Sequence, residues 1–293
     1  MRGPGAQEAI VAERLGVRYG EVRALTDVTV SLRAGEITGL VGVNGSGKSS
    51  MLAAMLERVP HEGTVRMLGR TPKGARRAGL VASVPQAEAV DWDFPVTVRD
   101  VVTTGRYGRM GLLRIPRAAD RAAVDEAIAL LGLEHLADRQ IGALSGGQRK
   151  RAFVARAIAQ DAELLLLDEP FAGVDRTSEA AITEVLRALR ERGRSVVIVH
   201  HDLSGVAELV DTVLLLQRGR LLHHGPPATV LTPERIAEAF GGGPRRDRDR
   251  DEPSTTDQPP AVDEPSSAHP RPADDEPADA RGDTPPTTTD GRP

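Results

Sequence analysis

The 293-residue chain is predicted to fold as an α/β protein: a largely parallel sheet, an antiparallel β portion ahead of it, and a block of inserted helices. Three observations carry that prediction. Short apolar runs recur at 37–41, 164–167 and 196–199, each continuous rather than alternating, as in strands buried on both faces. Segments of helical periodicity separate them. The first run leads into Gly42-Val43-Asn44-Gly45-Ser46-Gly47-Lys48-Ser49, and the second ends in Asp168-Glu169-Pro170.

Taken in order, Val28 to Leu32 alternates apolar and polar residues before the Ala34-Gly35 turn, so the first part reads as antiparallel β. Ile37 to Val41 is a buried strand, a helix begins near Lys48, and Leu80 to Val84 is strand-like. Between about 95 and 160 the pattern is mostly helical, clearest at Ala118 to Leu131 and Arg149 to Gln160, which marks an inserted helical subdomain. Leu164 to Leu167 and Val196 to Val199 return to the sheet. Val213 to Leu216 and Leu221 to His223 flank Gln217-Arg218-Gly219-Arg220, a hairpin. No internal repeat is found, so the folded domain, 1–242, is a single unit. Gly241-Gly242-Gly243 closes it. Residues 244–293 hold 11 of the 21 prolines, no aromatic residue and a single Val, so 243–293 is expected to be a disordered tail.

The loop at 42–49 has the G-x-x-x-x-G-K-S form of a phosphate cradle. Glycines at 42, 45 and 47 let successive N–H groups face phosphate oxygens, Lys48 reaches the β and γ phosphates, and Ser49 can ligate magnesium. Asn44, Ser46 and Ser50 complete the candidate ATP-binding set on this loop, and the following helix adds its positive end. A strand ending in Asp168-Glu169 supplies the other half: one carboxylate for the magnesium shell, one for the attacking water.

Leu144-Ser145-Gly146-Gly147-Gln148 narrows the reading further. Taken alone, these residues suit an N-cap before an ordinary helix. Placed shortly before the Asp-Glu strand, they make the sequence resemble the ATP-binding-cassette (ABC) ATPases over residues 10 to 240. The resemblance implies a P-loop NTPase (RecA-like) core with an antiparallel β subdomain and an inserted helical subdomain. It implies that Ser145, Gly146, Gly147 and Gln148 face the nucleotide of a second copy. It also implies that Gln86 touches magnesium and water, that Asp175 meets the opposing phosphate loop, and that His201 contacts the γ phosphate. Tyr19 lies where an aromatic ring stacks on adenine, with core packing as the alternative. The implied catalytic set is Glu169, His201, Lys48 and Gln86; the implied magnesium set is Ser49, Gln86 and Asp168. The cofactors are ATP and Mg2+.

Val90-Asp91-Trp92-Asp93-Phe94-Pro95-Val96-Thr97-Val98-Arg99-Asp100-Val101-Val102, with Gly105-Arg106-Tyr107-Gly108, is similar to the cassettes of manganese, zinc or iron importers. There this stretch receives a coupling helix of the permease, and Trp92 reads either as an interface anchor or as a pin for its own loop. The implied partners are a second copy, an integral membrane permease and, through it, an extracytoplasmic substrate-binding protein. Arg149-Lys150-Arg151 departs from the commoner Gln-rich continuation, and the tail is unusual. A motor for another cargo, exporter or cell-surface system therefore stays open, as does a non-transport cassette on ribosomes or DNA.

Composition limits the remaining classes. The chain has no Cys, so no disulfide framework or thiolate metal site. His200-His201 and His223-His224, at predicted strand ends, read as structural rather than as metal ligands. The tail carries 7 Arg against 13 acidic residues, which leaves the first 243 residues near neutral and argues against a nucleic-acid surface. No apolar run approaches the roughly 20 residues needed to span a bilayer, and residues 1–12 show no secretory pattern. The expected location is cytoplasmic, peripheral on the inner face of the cell membrane.

Overall fold

The computed structural model describes residues 8–86, 94–200 and 203–240. Its first layer is a three-stranded antiparallel sheet ordered β2-β1-β4, from β1 (Glu8–Tyr19), β2 (Val22–Arg33) and β4 (Glu62–Met67). Only the centre of β2 was visible as an alternating run. In β1 the register shifts between Ala12 and Leu15 and again before Val17, and Arg14 has φ 52°, so the period-two pattern is broken. In β4 only Val65 and Met67 are buried, too few to alternate.

The second layer is a six-stranded sheet ordered β5-β6-β7-β3-β8-β9. Its strands are β3 (Ile37–Val41), β5 (Val81–Val84), β6 (Leu164–Asp168), β7 (Ser195–Val199), β8 (Thr212–Gln217) and β9 (Arg220–Gly225). All neighbours pair in parallel except β8 and β9, the hairpin. Every residue of β3, β6 and β7 is buried, which explains their continuous apolar sequence. Successive side chains point to opposite faces. Leu164 and Leu166 join Met51 and Met55 in one core, whereas Leu165 and Leu167 join Ile182 and Leu186 in the other.

The helices are α1 (Lys48–Met55), α2 (Pro72–Arg77), α3 (Val98–Thr104), α4 (Ala118–Leu130), α5 (Gly146–Ala159), α6 (Arg176–Glu191), α7 (Leu203–Ala207), α8 (Pro227–Val230) and α9 (Pro233–Phe240). Val98 and Val102 of α3, Val124 and Ile128 of α4, and Phe153 of α5 pack into one helical cluster. At its base the buried Arg106 donates through Nε to Asp120 Oδ1 at 3.0 Å and through Nη1 to Ala159 O at 3.0 Å, joining all three helices. Helix α5 starts three residues before the periodic run read from sequence. Ser145 Oγ accepts from Gln148 N at 3.3 Å while Ser145 N donates to Gln148 Oε1 at 3.0 Å, a capping box that extends the helix through two glycines. Arg149-Lys150-Arg151 also finds a structural explanation. Arg149 donates to Gly142 O, Lys150 to Gln86 O at 3.3 Å and Arg151 to Leu131 O, so the three cations tie α5 to its surroundings.

Candidate functional site

The loop after β3 stands at the centre of the sheet, at the carboxyl ends of the parallel strands, where open α/β sheets hold ligands. Its backbone is possible only with glycine. At Gly42 (φ 152°) a Cβ would lie 2.2 Å from Leu216 O, and at Gly47 (φ 105°) it would lie 2.6 Å from Ala24 O. The β8–β9 turn braces the loop from below: Gly219 N donates to Ser46 O at 2.9 Å, and Gly219 O accepts from Thr26 N at 2.8 Å.

A cavity of about 600 Å3 opens over this loop. Asn44, Gly45, Gly47, Lys48, Ser49 and Ser50 form its floor, and Gln86 and Glu169 one wall. Tyr19 forms the other wall together with Val22, Arg23 and Ala24, which the sequence reading passed over. Tyr19 and Val22 face each other across the first hairpin and are 48% and 66% exposed, an open apolar pair rather than core. The signal that could have found Val22 is its position two residues past the Gly20-Glu21 turn, opposite Tyr19.

Lys48 Nζ donates to Gly42 O at 2.9 Å and Val43 O at 3.0 Å, so the ammonium caps the loop's own carbonyls. Burial lowers its pKa, while Glu169 and Asp168 oppose that shift. Asp168 is buried, and its carboxyl is pushed above the ordinary aspartate range, first by desolvation and then by the Glu169 charge; the Ser49 hydroxyl, Lys150 and Lys48 act in the other direction. One of its oxygens, Oδ1, is buried without a hydrogen-bond partner, as is Ser46 Oγ. Glu169 follows at φ 49°, a left-handed conformation unusual for a non-glycine residue, and its Oε2 accepts from Gln86 Nε2 at 3.1 Å. Strain of this kind, on the order of 1–3 kcal/mol, is characteristic of functional sites.

Ser145, Gly146, Gly147, Gln148 and Asp175 do not line this cavity. They form a separate surface at the start of α5, where Ser145 and Gly146 are exposed. Asp175 caps α6, accepting from Ser178 N at 2.8 Å and Ser178 Oγ at 3.2 Å, and these contacts hold its pKa down. A Cβ on Gly147 would lie 2.9 Å from Ser178 Oγ and 3.0 Å from Asp175 Oδ2, so the two segments are built against each other. His200 is buried with its ring 5.3 Å from that of Phe171. His201, Trp92 and the tail lie outside the described residues. Among the described residues no three His, Asp or Glu side chains gather as a metal site, and no helix is long and apolar enough to cross a membrane.

Residues 25–172 match the family model described as ABC transporter. The manganese transport system ATP-binding protein of Halalkalibacterium halodurans is 41% identical, over 80% of this chain and 92% of its own length. The zinc transport system ATP-binding protein of Treponema pallidum is 44% identical over 80% and 87%. The chelated iron transport system membrane protein YfeB of Yersinia pestis is 45% identical over 80% and 79%. Among solved structures, an inward-facing metal-chelate type ABC transporter superposes with a TM-score of 0.70 at 28% identity, covering 80% of this chain and 89% of that one. The ATP-binding cassette MJ1267 gives 0.70 at 26% identity, covering 80% and 99%.

Proposed function

This chain belongs to the ABC transporter family, and on that premise we propose that it is the ATPase driving import of a divalent metal ion: manganese, zinc or iron. The observation that carries the cargo is the run of relatives at 41–45% identity whose names specify manganese, zinc or chelated-iron transport. The family's ATP-binding subunits hydrolyse ATP and work with membrane permeases. The chain attaches peripherally to the inner face of the cell membrane, pairs with a second copy of itself and serves, through the permease, an extracytoplasmic substrate-binding protein.

In this reading the adenine stacks on Tyr19 beside Val22, and the phosphates lie along the 42–49 loop. Lys48 exchanges its bonds to Gly42 O and Val43 O for phosphate oxygens, which supply the negative charge its burial calls for. A divalent cation suits the donors present: Asp168 Oδ1 is buried and without a partner, and the Ser49 hydroxyl bonds to the same carboxylate. Ser49, Asp168 and Gln86 would hold it. Magnesium, when bound, neutralises charge on the β and γ phosphates. Glu169 takes the water proton as the water oxygen bonds to the γ phosphorus and the bond to the ADP oxygen breaks. Gln86, already bonded to Glu169, keeps that carboxylate in position. The surface at Ser145–Gln148 serves the nucleotide of a second copy, with Asp175 beside it, and His201 contacts the γ phosphate.

The test is to purify the tagged chain from membranes in mild detergent, identify its companions by mass spectrometry, and measure cellular manganese, zinc and iron after its depletion. A multi-helix permease together with a fall in one of these metals is expected. A permease without any metal change would keep the motor and discard the cargo; ribosomal or DNA-bound companions without a permease would overturn the transport reading.

A further inference from the structure

Helix α5 runs antiparallel beside β5 and is fixed to it at both ends. Gln160 Nε2 donates to Val81 O at 2.8 Å, and Lys150 Nζ donates to Gln86 O at 3.3 Å. The lengths agree, because the helix from Lys150 to Gln160 rises about 15 Å and an extended chain from Val81 to Gln86 covers about 17 Å. The two ties differ in kind. Gln160 places a neutral amide at the start of the strand, whereas Lys150 brings a full charge to its carboxyl end, where Gln86 and Glu169 wall the cavity.

From Lys150 a chain of contacts leads to the carboxylates. The carbonyl it holds belongs to Gln86, whose Nε2 donates to Glu169 Oε2 at 3.1 Å. Strands β5 and β6 are parallel neighbours with Val84 opposite Leu167, so strand register sets Gln86 beside Asp168 and Glu169. Lys150 does more than Lys48 to restrain the raised pKa of the buried Asp168 carboxyl. Because Lys150 is half-buried, salt screens its charge less than it would on the open surface. A fixed cation there makes two adjacent carboxylates tolerable and opposes the entry of a second cation.

We propose, on the reading of the cavity as a MgATP site, that Lys150 is a positioning residue that sets the magnesium requirement of the ATPase. Its ammonium holds Gln86 on Glu169 and contributes positive potential where the divalent cation must enter. Two consequences separate this role from that of a plain structural tie. Loss of the charge makes magnesium bind more tightly, since less positive potential opposes it. Loss of the donor frees Gln86 and with it the orientation of Glu169, which slows turnover without weakening the grip on ATP.

The test is a magnesium titration of the purified full chain in excess ADP, read as melting temperature so that no turnover is involved. Lys150→Met keeps the side-chain length and removes charge and donor. Its magnesium-dependent gain is expected to reach the halfway point at roughly three- to tenfold lower free Mg2+ than in the wild type. Its kcat with saturating MgATP should fall severalfold at unchanged KM for ATP. Lys150→Arg, which keeps the charge, should return the magnesium midpoint to within about twofold of the wild type. Gln160→Met cuts the neutral tie at the other end and should lower the melting temperature without moving that midpoint. An unchanged or higher midpoint in Lys150→Met, or the same shift in Gln160→Met, would overturn the proposal and leave Lys150 a structural tie. A wild-type chain that gains no stability from MgADP would overturn the nucleotide reading as well.

Discussion

Asp168 concentrates the electrostatic tension of the site. A buried carboxylate with another at the next position is held in its charged form at a cost, which is why its pKa lies above the ordinary aspartate range. The folded state therefore binds this proton more tightly than the unfolded chain does. The group costs stability at neutral pH, and the cost fades as pH falls through the raised folded pKa toward the ordinary value. Asp168→Asn removes the charge while keeping the shape. Without nucleotide the variant should melt higher at pH 7, by roughly 2–4 °C for relief of about 1 kcal/mol, and the gap should narrow on acidification. The same variant should lose the extra stabilisation that magnesium adds to bound ATP, and hydrolysis with it. Scanning calorimetry with and without MgATP checks both signs; a lower melting temperature for the nucleotide-free variant would contradict this account of the site.

Elements supply what single residues lack, namely the support that keeps the phosphate loop in shape. The glycines of that loop were legible because the motif is contiguous and its chemistry depends on spacing. Its brace was not. In sequence Gly219 reads only as a hairpin residue, yet its N–H reaches Ser46 O across 173 positions of sequence, a contact that no local pattern encodes. The same limit applies to β1 and β4, whose bulges and sparse burial hide their period, and to Val22 and Arg23, which reach the cavity only because a hairpin folds them beside Tyr19. The buried strands and the N-cap at Ser145 are legible because each is written in consecutive residues, whereas its reciprocal bond with Gln148 emerges only in the structure. Gly219→Val should therefore act on a site it does not touch. A Cβ there would lie 2.6 Å from Ala24 O at φ 76°, a conformation unfavourable for a β-branched residue by on the order of 1–3 kcal/mol. The expected result is a lower melting temperature and at least tenfold weaker binding of a fluorescent ATP analogue; unchanged affinity would show that the loop holds its shape without the turn.

At the scale of the molecule, the proposed nucleotide chemistry would divide between two surfaces that one chain does not bring together. The cavity over the loop has Lys48, Gln86 and Glu169, while Ser145 and Gly146 are exposed elsewhere on the cassette. Because one sequence carries both halves, a two-fold arrangement would complete two sites at once, each with the loop of one copy and the α5 start of the other. That arrangement makes a prediction that no single-chain site shares. In a Glu169→Gln background, which should bind ATP without consuming it, Lys48→Ala removes the phosphate grip of a copy and Ser145→Arg blocks its opposing face. Either chain alone would then fail to form an ATP-sealed dimer. Mixed, they pair the intact loop of the Ser145→Arg chain with the intact α5 start of the Lys48→Ala chain, leaving the other site doubly damaged. Native mass spectrometry should show a heterodimer with one nucleotide sealed between the copies. If the mixture gives only monomers while the Glu169→Gln parent dimerises, the two halves do not complement across copies, and the site must be completed within one chain.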